Sequence, residues 1–136
     1  MNKKVFLLIL SFSLMVFGQT NASTNWETAV GDSVYEHPDQ LASFKGGMEA
    51  MISYLTSNVH YPEAAFKKGI QGKVLVEFIV RKDGSITDVK LFKSVHPELD
   101  KEALRVVKSM PKWIPGKDKG KYVNVHYVLP IQFQLK

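Results

Sequence analysis

The sequence predicts an α+β fold: a three-stranded antiparallel sheet in the order second, first, last, with two or three helices packed on one face. Three observations carry that expectation. The closing stretch Tyr122 to Leu135 alternates at period two, with Val123, Val125, Tyr127, Leu129, Ile131, Phe133 and Leu135 on one side, the pattern of a strand with one buried and one wet face. Lys73 to Lys82 and Ile86 to Ser94 flank Asp83-Gly84, a dipeptide that tolerates the positive φ angles of a tight hairpin. Leu99 to Met110 sets Leu99, Ala103, Val106, Val107 and Met110 on one stripe and Lys101, Glu102, Arg105 and Lys108 on the other, the recurrence of an amphipathic helix.

The totals bound what this fold can be. The chain has 136 residues and a formal charge of +5, one domain's worth of length. Asn2-Lys3-Lys4, the apolar Val5 to Phe17 and Thr20-Asn21-Ala22 predict a secretory signal peptide over residues 1–22. Its apolar run of about 13 residues is short of the roughly 17–25 that span a bilayer. Without Lys3 and Lys4, 16 basic residues remain against 13 acidic ones, a formal +3. The absence of Cys excludes disulfides, thiol chemistry and lipid attachment through cysteine. Lys112, Lys117, Lys119 and Lys121 read as a solvated loop, and export without a recognition motif argues against nucleic acid.

In chain order, residues 23–43 read as a flexible lead-in, with local order expected only near Val34-Tyr35, and residues 44–136 as the folded domain. Met48, Met51, Ile52, Leu55 and Val59 predict a helix over Gly47 to Asn58 with both methionines in the core. Tyr61-Pro62 opens a second, short helix through Phe66-Lys67, stopped at Gly69. In the first strand Val74, Val76, Phe78 and Val80 alternate with Leu75, Glu77, Ile79 and Arg81, which suits a central position. Val89 and Leu91 point inward from the second strand. Asp100 is the expected N-cap of the third helix and Pro111 its stop. That helix, roughly 17 Å long, carries the chain back so that the last strand lies antiparallel beside the first. Trp113, in the turn-rich stretch Lys112 to Lys121, is expected to cover the end of the core.

Pro130 has no N–H for a ladder, so the last strand belongs at a sheet edge. Tyr122, Asn124, His126, Val128, Pro130, Gln132 and Gln134 share its wetter side. Two readings stand on these residues. The stretch is either a core strand blunted by its proline or a docking edge to which a partner adds a strand.

The residues further resemble a family, the C-terminal domain of the energy transducer TonB, in the form common in Bacteroidetes. The resemblance runs from Phe44 to Leu135. It rests on Phe44-Lys45-Gly46-Gly47, Tyr61-Pro62 with Ala65 and Gly69-Ile70-Gln71-Gly72, and Val74 to Val80 with Asp83-Gly84. Leu99-Asp100-Lys101-Glu102-Ala103, Met110-Pro111-Lys112-Trp113, Pro115-Gly116-Lys117 and Val128-Leu129-Pro130-Ile131 complete the ordered set. The resemblance implies a Gram-negative periplasm and recognition by strand addition. The partner would be the TonB box, a short peptide segment of an outer-membrane TonB-dependent transporter, paired with the last strand. Asn58, Val59, His60 and Tyr61 would contact the same partner, although His60 departs from the expected residue. Inner-membrane motor proteins, or a second copy of the chain, are further candidate partners. Full transducers carry a membrane helix and a long proline-rich spacer, whereas this lead-in holds one proline, Pro38. A short periplasmic binding module is therefore expected, with a self-associating soluble adaptor as the alternative.

An enzyme is not expected. His37, His60, His96 and His126 lack metal-ligand spacing, and no serine sits in a nucleophile elbow. Glu77 and Asp88 could face each other across the hairpin, but without a cleft. Neither cofactor, metal nor small-molecule substrate is implied.

Overall fold

The computed structural model describes residues 33–135; the expected signal peptide and the first ten residues of the lead-in lie outside them. The elements follow as β1 (Val34–Tyr35), α1 (Gly47–Asn58), α2 (Glu63–Lys67), β2 (Gly72–Val80), β3 (Ile86–Lys93), α3 (Pro97–Lys108), β4 (Gly116–Asp118) and β5 (Lys121–Phe133). Alternation decides the centre of the sheet. Val74, Val76, Phe78 and Val80 of β2 are fully buried, as are Val125, Leu129, Ile131 and Phe133 of β5. These two strands pair antiparallel from Gly72↔Phe133 to Val80↔Val125, so their apolar rows form one surface, on which Leu55 of α1, Ala65 of α2 and Leu99, Ala103, Val106 and Val107 of α3 are buried.

The three long strands lie in the expected order β3-β2-β5, but the three-stranded sheet must be corrected to five strands. β1 pairs in parallel with β5 on the far side from β2, and β4 pairs antiparallel with the start of β5. Periodicity cannot announce either addition. β1 has two residues, and Gly116-Lys117-Asp118 of β4 resembles the turn that follows it. Lys119 (φ 50) and Gly120 (φ 77) then supply two successive left-handed residues, which is the two-residue hairpin turn whose twist suits paired strands. The lead-in stretch nearest the domain lies against this hairpin: Gln40 and Lys117 exchange backbone hydrogen bonds at 2.9 Å, Ser43 and Ile114 do so at 3.0 and 2.8 Å, and Ala42 is buried.

Two further differences concern the helices. α3 begins two residues earlier than expected, because Pro97 occupies its first turn and His96 caps it by accepting from the Glu98 N–H, a position for which proline's fixed φ is preorganised. Asp100 is not the cap; its carboxylate accepts from Val95 N–H at 3.0 Å and from the Ser94 hydroxyl. In α1, Met51 is in the core while Met48 faces solvent.

Around the β2–β3 turn, Gly84 (φ 86) accepts from Trp113 N–H at 2.8 Å, and a Cβ there would collide with the Trp113 carbonyl. Trp113 is thereby fixed over the end of the core, its ring 5.7 Å from Phe44, 5.3 Å from Phe78 and 4.9 Å from Tyr127. On β3, Asp88 (φ 55) sits where the register shifts and pairs with Arg81 at 2.9 Å. Glu77 therefore faces Lys90 across the ladder, not Asp88.

Candidate functional site

The inner side of β5 is filled by β2 over Val125 to Phe133. Pro130 stands opposite Leu75, and because proline has no N–H its backbone nitrogen belongs on the outer side. Backbone direction alternates along a strand, so Asn124, His126, Val128, Gln132 and Gln134 turn their N–H and C=O groups outward with it. β4 continues the inner side where β2 ends: Lys117 is committed to Gln40, which leaves Gly116 and Asp118 to face Val123 and Lys121. On the outer side, β1 covers Asn124 and Val125. Beyond Val125, no strand among the described residues pairs with it.

The six sequence-selected residues of β5, with Gln134 just past its end, thus share one edge but not one environment. Tyr122 is exposed, its ring 4.7 Å from the Lys117 ammonium. Asn124 is buried: its Oδ1 accepts from Lys82 N–H at 2.9 Å and its Nδ2 donates to the Ser33 carbonyl at 3.4 Å. His126 is half-buried between two carboxylates, with Nε2 3.0 Å from Glu77 Oε2 and Nδ1 3.4 Å from Glu36 Oε2. Val128 and Gln132 are half-buried, Pro130 is buried and Gln134 is exposed. Just past β5, Leu135 N–H donates to Gln71 Oε1 at 2.7 Å, which ties down the strand end.

The segment Asn58 to Tyr61 meets the same end of β5 from the helix side. Tyr61 is buried with its ring 5.7 Å from Phe133, and its hydroxyl donates to the Ile70 carbonyl. Val59 is also buried and Asn58 half-buried, so His60 is the one exposed member of the four. Asn58 Nδ2 donates to Tyr54 O at 2.7 Å, and the Asn58 carbonyl accepts from Arg105 Nη2 at 2.7 Å. Glu102 completes the support: Oε2 accepts from His60 N–H at 2.9 Å and from Arg105 Nη2 at 3.0 Å. Burial alone would raise the Glu102 pKa, but the hydrogen bonds from Arg105 and His60 and the guanidinium charge outweigh it and hold the carboxyl below the usual range. Sequence reasoning missed Glu36, Glu77, Glu102 and Arg105 as supports. For Glu102 and Arg105 the i,i+3 spacing was a signal; for Glu36 and Glu77 there was none, since both meet His126 through tertiary pairing.

Comparison with known proteins agrees with this architecture. Residues 57–135 match the family model described as the Gram-negative bacterial TonB protein C-terminal. Over 83 residues the chain is 39% identical to the curated Protein TonB of Helicobacter pylori strain J99 and 37% identical to that of strain 26695, a region that is 60% of this chain and 28% of each relative. Two solution structures of the Helicobacter pylori TonB-CTD also match. One is 36% identical with a TM-score of 0.50, over 62% of this chain and 76% of that one; the other is 33% identical with a TM-score of 0.51, over 65% and 94%. With the family model covering more than half of its residues, the chain belongs to the TonB C-terminal family.

Proposed function

We propose that this chain is a non-catalytic periplasmic binding module that adds a peptide strand to the outer edge of β5, over Val128 to Gln134. The partner is the TonB box segment of an outer-membrane TonB-dependent transporter, and the process served is energised transport. The observation that carries the reading is the backbone edge itself: past Val125 it has no paired strand among the described residues, and Pro130 removes only one outward N–H from it. An unpaired edge of this length is a template for another strand.

The energetics fit a transient complex. About six backbone hydrogen bonds at roughly 0.5–1.5 kcal/mol net give a few kcal/mol, from which the ordering of an extended peptide is subtracted. The expected affinity is in the range of about micromolar to millimolar, with selectivity supplied by alternate side chains of the added strand. The His60 segment, braced by Glu102 and Arg105, stands at the end of β5 where a second contact would fall.

A photoreactive residue at Gln132 or Gln134, introduced in living cells, tests the reading. Crosslinks to outer-membrane transporters are expected. Crosslinks only between copies of the chain, or only to soluble proteins, would replace it with the self-associating adaptor.

A further inference from the structure

The first part of the docking edge is not empty but held by the chain's own Ser33 to Glu36, and the hold is slight. Val34 and Tyr35 pair with Asn124 and Val125. Ser33 contributes a carbonyl 3.4 Å from Asn124 Nδ2, and Glu36 a carboxylate 3.4 Å from His126 Nδ1. A two-residue ladder is far below the length that is stable by itself. The chain that follows is anchored separately: Asp39 Oδ2 accepts from Lys119 N–H at 2.9 Å, and Gln40 pairs with Lys117. Ser33 to Glu36 can therefore lift away while the lead-in stays fixed to the β4–β5 hairpin.

His126 supplies the latch. A ring carrying hydrogen on both nitrogens hydrogen-bonds Glu77 through Nε2 and turns its second N–H, with the ring's positive charge, toward Glu36, whereas a neutral ring has one N–H for the two carboxylates. Glu77 is steadied by Lys90 Nζ at 3.4 Å, and the neighbouring Arg81 is engaged by Asp88. The row Glu36, His126, Glu77, Lys90 crosses from one side of the sheet to the other, with Glu36 as its most solvent-exposed acid.

We propose that Ser33 to Glu36 is an internal occupant of the docking edge, latched through Glu36 to His126, and that a partner strand displaces it. The proposal rests on the docking reading above and adds regulation to it. With the strap in place, a partner meets the outward groups of Val128, Pro130, Gln132 and Gln134; with it lifted, those of Asn124 and His126 join the ladder. The longer register is open only to a partner that outcompetes the strap, which makes the strap a filter against weakly pairing segments.

The test compares the chain, purified from its own cells, with its Glu36→Gln variant and with Lys93→Gln, a loss of charge at an exposed position of β3 outside the row. In Glu36→Gln the backbone amides of Asn124 and His126 are expected to exchange about two- to fivefold faster, the scale of one partly exposed ion pair. Exchange at Leu129 and Ile131, which face β2, stays unchanged, and Lys93→Gln behaves as wild type. Crosslinking from Gln132 to its envelope partner rises in parallel in Glu36→Gln. Unchanged exchange at Asn124 and His126, or faster exchange along all of β5, would overturn the strap while leaving docking intact if Gln132 still crosslinks. Loss of every Gln132 crosslink to transporters, alongside the local change in exchange, would overturn the docking reading and the regulation built on it.

Discussion

Glu102 shows how one residue ties the helix layer to the candidate site. It is buried on α3, yet its carboxylate is committed to Arg105 and to the His60 N–H. Its folded pKa lies below the usual value, so the sign is that of a paired acid. The stabilisation is fully present above the unfolded carboxylate's pKa and is lost as pH falls through the folded one. Glu102→Gln is expected to lower unfolding free energy at neutral pH by about 1–2 kcal/mol, less than a fully buried pair would cost because Arg105 is half exposed. The same variant should lose less stability than wild type on acidification. Urea titrations at neutral pH and at a pH below the unfolded carboxylate's value check both statements. In the sequence Glu102 reads only as part of the polar side of α3, because its partner at His60 comes from a different element. His126 is parallel: its position on the wetter side of β5 was legible, its two carboxylate neighbours were not.

At the scale of elements, length decides what a sequence can announce. β5 and β2 are long enough for alternation to be unmistakable, and α1 and α3 long enough for a stripe. β1 is two residues whose only reason to be a strand is Asn124-Val125, some ninety positions away. β4 was hidden by its own composition, and its turn lacks the Asn-Gly or Asp-Gly signature, since Lys119 takes the left-handed position. That choice is energetically poor, because a side chain with a Cβ is strained there unless it is Asn or Asp. Lys119→Asn is accordingly expected to stabilise the domain by roughly 0.5–1 kcal/mol, seen as a higher urea midpoint with an unchanged slope. The start of α3 was legible in principle, since His96-Pro97 carries a proline suited to a first turn; the nearby Asp100 drew the cap assignment away.

Across the whole molecule, the two outer edges of the sheet are managed differently. The β3 edge is broken by the bulge at Asp88 and carries Lys90 and Lys93, which are devices against strand addition. The β5 edge carries a proline and a short strap and is otherwise regular. The order of the three long strands followed from antiparallel preference and the return path of α3, and the family resemblance followed from motifs spread over most of the chain. The partner cannot be read at this scale from apolar pattern alone, because strand addition uses backbone groups that every sequence possesses. A direct measurement isolates those groups: binding of peptides from the N-terminal segments of outer-membrane transporters to Gln132→Pro and Gln132→Ala, with the fold of each checked by its amide spectrum. Proline removes an outward N–H while leaving the core face untouched. Gln132→Pro is expected to bind about tenfold or more weakly than Gln132→Ala; equal binding by the two folded variants would contradict strand addition at this edge.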